Sequence, residues 1–183
     1  MSANTNYGVN SLSSNTTGIQ NSAFGDLSLQ KNETGNYNSS VGAFALAKNT
    51  TGISNSALGT NSLLENTTGS YNTAIGTATM CFNTSGNENT AIGSNCLENN
   101  TTGNENIGIG RRTLVANTTG YSNLAIGYHA LKSNTTGFTN VALLNNNLYS
   151  NNIYDNNLEN KNKNNPNQYE NDNKGNFQNN KNH

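Results

Sequence analysis

Large apolar residues recur along the first 150 residues in two columns, each with an interval of 17 residues. If positions are counted from the glycine closing each Asn-Thr-Thr-Gly-like segment, the first column falls at plus six, as Phe24, Val41, Leu58, Ile75, Ile92, Ile109, Ile126 and Leu143. The second falls at plus eleven, as Leu29, Leu46, Leu63, Met80, Leu97, Leu114, Leu131 and Leu148. Polar positions keep the same step. Asn stands three before the glycine, from Asn15 through Asn66 to Asn134, and again three after it, from Asn21 through Asn72 to Asn140. Two glycine columns complete the frame, one running from Gly18 through Gly69 to Gly137 and the other from Gly8 through Gly76 to Gly127. Self-similarity at a fixed period, without one insertion, specifies a repeat architecture in which each unit stacks on its neighbours.

The unit is too rich in Gly, Thr and Asn to hold a helix of even three turns. From plus four to plus six the pattern reads as a short strand, Thr73-Ala74-Ile75 in one copy, with plus four and plus six on one face and the small residue on the other. A second short strand is predicted around plus eleven, with Gly76 and its equivalents bending the chain between the two. The Asn66 to Gly69 segment closes the coil as a turn, since Asn and Gly tolerate left-handed backbone. The predicted fold class is all-β, a parallel β-solenoid or β-roll of 17-residue coils over residues 1–150. Its core is drawn from both apolar columns: Ile75, Ile92 and Ile126 from one, Leu63, Leu97 and Leu131 from the other. Stacked Asn such as Asn72 can bond side chain to side chain along the axis. The repeat degenerates over 151–158, read as a capping coil, and 159–183 is an Asn- and Lys-rich stretch read as a disordered tail.

Composition shifts the picture toward an assembly. Only 31% of residues are apolar and 10% charged, with no Trp, so two large side chains per coil gain far less than ordering the coil costs. The plus-five column, including Ala57, Ala74, Ala91 and Ala125, never holds anything larger than Ala or Ser. Enforced smallness implies that an identical chain packs closely on this face around a symmetry axis, with the inside of a very flat coil as the alternative.

Charge and chemistry mostly exclude. A net charge of −1 gives no electrostatic case for nucleic acid, and no apolar run approaches the roughly 20 residues of a membrane span. No secretory signal is visible at the N-terminus. Cys81 and Cys96 lack metal-ligand partners, and stacking places their Cα atoms about 8 Å apart, too far for easy bridging. Both are read as small buried residues. Acids scatter through different columns except Glu88 and Glu105, which share one, a weak cation-site candidate. His129 stands without a partner for acid or base work, so no enzyme, cofactor or metal is expected. The turns from Asn15-Thr16-Thr17 to Asn134-Thr135-Thr136 are also formal glycosylation sequons. An ice-binding surface is a minor alternative, weakened because Thr67 and Thr68 are adjacent and cannot face the same way in a strand.

Asn72-Thr73-Ala74-Ile75-Gly76 followed by a small-Leu pair resembles the head repeats of trimeric autotransporter adhesins. The Asn-Thr-Thr-Gly segments are closer in look to repeats of phage, bacterial and large-DNA-virus tail and surface fibres. The resemblance covers about residues 4–148 and implies a left-handed parallel β-roll assembled as a homotrimer. It further implies display on a virion or cell surface, with a host-surface receptor or glycan as a further partner. The coil departs from those heads in being longer, and neither a coiled-coil stalk nor a membrane anchor is seen in the sequence. The resulting expectation is a non-catalytic structural or adhesive fibre module, with a passive spacer or scaffold segment as the alternative. Variable plus-eight and plus-nine positions, among them Arg111, Tyr128 and His129, are the places where such a module could touch a receptor.

Overall fold

Each 17-residue unit turns once and delivers one short strand to a single sheet. The computed structural model describes residues 3–146, and the expectations for 151–158 and 159–183 lie outside them. The strands are β1 (Thr5–Tyr7), β2 (Ser22–Phe24), β3 (Ser39–Val41), β4 (Ser56–Leu58), β5 (Thr73–Ile75), β6 (Thr90–Ile92), β7 (Ile107–Ile109), β8 (Leu124–Ile126) and β9 (Val141–Ala142). They pair in chain order, all parallel, each residue opposite the one 17 later, as Ala74 is to Ala91. No helix interrupts the described chain. The fold is the all-β parallel solenoid that the period requires.

Gly76 sits at φ 129°, a conformation few other residues adopt, and a Cβ there would lie 2.8 Å from the carbonyl carbon of Gly93 in the next coil. The second glycine column therefore bends the chain as expected. The turn glycines are needed for a different reason. Gly69 is not left-handed; a Cβ on it would strike the Asn66 side chain and come within 2.8 Å of Asn83 Nδ2.

Among the described residues the second strand expected around plus eleven is absent. Leu63 there has φ 51° and Asn61, two residues earlier, φ 58°, so the segment zigzags through left-handed backbone instead of extending. Its amides still reach both neighbouring coils: Asn61 N donates to Ala43 O at 3.0 Å and Leu63 N to Thr79 O at 3.0 Å. Those bonds, repeated at every coil, offset a conformation that costs an L-residue roughly 1 to 3 kcal/mol.

The sidedness of the strand is the reverse of the expected one. Ala57, Ala74, Ala91 and Ala125 point into the coil and are buried within a single chain, so they are not free to pack against another. Ile75, Ile92 and Ile126 point outward, with 36 to 39% of their surface exposed, and do not form the core. The interior is narrow. Leu63, Leu97 and Leu131 fill it completely with the alanines opposite and two files of Asn, leaving no room for a second large aliphatic. One coil shows how tight the fit is: Cys96 enlarges plus ten, and the following plus five is Gly108, where a Cβ would lie 2.6 Å from Cys96 Sγ.

Candidate functional site: buried amide ladders and an exposed apolar face

Two ladders of asparagine run the length of the interior. In the first, Asn66 Nδ2 donates to Asn49 Oδ1 at 2.8 Å and to the carbonyl of Gly69 at 2.9 Å, while Asn66 Oδ1 accepts from Asn83 Nδ2 at 2.8 Å. The same pattern repeats from Asn32 to Asn134, all fully buried. At the open end Asn134 Oδ1 lacks a partner among the described residues. In the second ladder Asn72 Oδ1 accepts both the backbone amide and Nδ2 of Asn89, at 3.0 and 3.1 Å, and Asn72 Nδ2 reaches the carbonyl of Gly86 at 2.8 Å. The glycine carbonyl joins the two: Gly69 O accepts from Asn66 and, at 2.8 Å, from Asn55 of the coil before. In the inner coils both Nδ2 hydrogens of each ladder Asn are used, as at Asn66 and Asn72, which lets a polar file occupy a dry interior without the penalty of unsatisfied groups.

Outside, the plus-six residues form a straight apolar stripe. Phe24, Val41, Leu58, Ile75, Ile92, Ile109, Ile126 and Leu143 are each more than a third exposed, on rungs about 4.8 Å apart. Beside them the plus-four column is polar at first, as Ser22 to Thr90, and apolar from Ile107 through Leu124 to Val141. Together these faces present on the order of 600 to 900 Å² of largely apolar surface, what one partner contributes to a specific interface. An apolar patch of this size on one face marks an interaction surface.

The remaining candidates sort by position. Glu88 and Glu105 are exposed, and Glu105 Oε2 accepts from Ser122 Oγ at 2.8 Å. No group of three or more His, Cys, Asp or Glu among the described residues could hold a metal ion. Nor is any described helix long and apolar enough to cross a membrane. Lys48 pairs with Glu65 at 2.7 Å along the exposed plus-thirteen column. Cys81 and Cys96 are free and buried; burial pushes the Cys96 thiol up to about 12, and burial followed by Glu98 and Glu65 raises that of Cys81. The sequon Asn residues have their amide nitrogens committed to the first ladder, so a folded coil offers them no site for a glycan. Thr67 Oγ1 and Thr84 Oγ1 bond the next coil's carbonyl, so of the adjacent pair Thr67 and Thr68 the second alone faces solvent.

One grouping was not evident residue by residue. His129 does not stand alone: its ring stacks on Tyr128 at 3.9 Å, and the Arg111 guanidinium lies 5.8 Å from the Tyr128 ring centre. Arg111 and Tyr128 are both at plus eight, so the 17-residue period already stacked them.

Compared with protein-family models, with curated proteins and with solved structures, the chain gives no match.

Proposed function

We propose that the chain is a non-catalytic structural or adhesive fibre module, a rod whose apolar stripe packs against copies of itself and whose other faces are displayed on a virion or cell surface. The exposed plus-six column carries this reading. A single coil has little interior apolar area for the backbone it orders, and covering the stripe adds what the interior lacks. Because the stripe is straight and parallel to the coil axis, copies meet along their full length around an axis parallel to it. Three copies are the expected number, by the likeness of the repeat to adhesin heads. The test is sedimentation equilibrium of the full chain, with an expected mass three times 19.4 kDa. A folded species of one-chain mass would overturn the reading.

The passive-spacer alternative is favoured by the regularity of the repeat and disfavoured by the cationic and aromatic departure at Arg111, Arg112, Tyr128 and His129. A spacer has no use for a cluster of unlike side chains at one point along its length.

A further inference from the structure

Three of the five Lys and Arg among residues 3–146 fall on adjacent coils: Arg111 and Arg112 on one, Lys132 on the next, the others being Lys31 and Lys48. Both arginines are exposed. Among the described residues the sole ion pair joins Lys48 to Glu65, so no salt bridge holds either guanidinium. No earlier coil carries a cation at the same offsets, which hold Asp26 with Leu27, Thr60 with Asn61 and Ser94 with Asn95, for example. Clustered like charges raise the local positive potential and repel one another.

The cations surround an aromatic surface. Tyr128 and His129 lie with their rings 17° from parallel at 3.9 Å, and Arg111 covers one side of Tyr128. Tyr128 is 39% exposed. His129 Nε2 is shielded from solvent and has no hydrogen-bond partner among the described residues, a desolvated polar atom that the fold leaves unsatisfied. The His129 imidazole is held below its ordinary range, first by burial and then by Lys132, Arg112 and Arg111; every charge acting on it is a cation.

We propose that Arg111, Arg112, Tyr128 and His129 form a binding site for an acidic sugar residue of a surface polysaccharide. A guanidinium presents paired N–H donors matched to a carboxylate. With its faces taken by His129 and Arg111, Tyr128 offers its exposed edge and hydroxyl, which meet the C–H groups and hydroxyls of a sugar ring. One anionic group per site fits two adjacent guanidiniums on a chain of net charge −1, whereas nucleic acid calls for a long basic track that this rod lacks. The inference rests on the adhesive reading above and names its ligand class.

The test is calorimetric titration of the full-length chain with oligogalacturonate hexamer and with its methyl ester, which keeps the rings and removes the charge. The acid form binds and weakens with added salt, and the ester binds at least about tenfold less, as the loss of a charge-assisted hydrogen bond requires. Arg111→Gln and Tyr128→Ala each weaken the acid form about tenfold at unchanged melting temperature, while Lys48→Gln, more than three coils away, has no effect. Equal binding of acid and ester, no binding by either, or stronger binding of a single-stranded oligonucleotide of equal charge would overturn the site. Any of those results beside a three-chain mass would remove this ligand and leave the fibre reading standing.

Discussion

Exchanging Asn66 for Asp unfolds the rod at neutral pH, although the two side chains have the same shape. Nδ2 of Asn66 donates to Asn49 Oδ1 and to Gly69 O, and an oxygen in its place faces two acceptors in a fully buried site. Two bonds are lost, Asn49 Oδ1 is stranded while Gly69 O keeps its bond from Asn55, and a buried oxygen is set against both, a cost on the order of 3 to 6 kcal/mol. That is comparable with the whole stability of an ordinary domain. The pH dependence has a definite sign. Burial among acceptors raises the introduced carboxyl above its unfolded value of about 4, so stability is retained below that value and is lost as pH rises through the folded one. Thermal melts followed by circular dichroism check this: Asn66→Asp melts far below the parent at pH 7 and recovers part of the difference near pH 4. The same exchange at exposed Asn99, whose Nδ2 makes one solvent-exposed bond to the Val115 carbonyl at 2.9 Å, lowers the melt far less. Equal losses at both positions, or no recovery in acid, would contradict the ladder.

Ala74→Leu is expected to be the more severe of two changes made one residue apart on the same strand. Ala74 has no exposed surface and belongs to the cluster that contains Leu63 and Met80, so three added carbons have nowhere to go. Overpacking of this kind costs on the order of 3 kcal/mol, and the in-register neighbours Ala57 and Ala91 leave no slack along the axis. Ile75→Thr trims an exposed side chain and leaves the coil itself intact. Chemical denaturation in urea separates the two, with Ala74→Leu losing its folded baseline and Ile75→Thr keeping the parent's slope.

The period made most of the fold legible. Parallel strands in register at Thr73–Ile75, the bend at Gly76 and the stacking of Asn66 and Asn72 all follow from identical residues lying above one another every 17 positions. Which face of the strand lies inside did not follow. In Thr73-Ala74-Ile75 the outer residues share a face by simple alternation, and the larger of them reads as core until the width of the coil is known. That width is set by the Leu63 column folding inward through left-handed backbone, which β-propensity does not reveal, and by two files of Asn that occupy the space an aliphatic would fill. The smallness of Ala74 was a correct sign of confinement with the wrong wall assigned to it. The thin core was the sign that suggested a partner, and the face open to the one proposed is that bearing Ile75. The period already stacks Arg111 on Tyr128; the ring contact between Tyr128 and His129 was hidden because it depends on the left-handed backbone at His129.

The central claim is that each coil turns its small residues inward and its large aliphatics toward another copy of the chain. Single cysteines test it directly, because Cys81 and Cys96 are both buried. The full-length chain carrying Ile75→Cys or Ala74→Cys is treated with a short bismaleimide and run on a denaturing gel. Ile75→Cys is expected to give covalent multimers, and Ala74→Cys to stay unlinked. Ile75→Cys that reacts only as single chains, or Ala74→Cys that cross-links, would contradict the account.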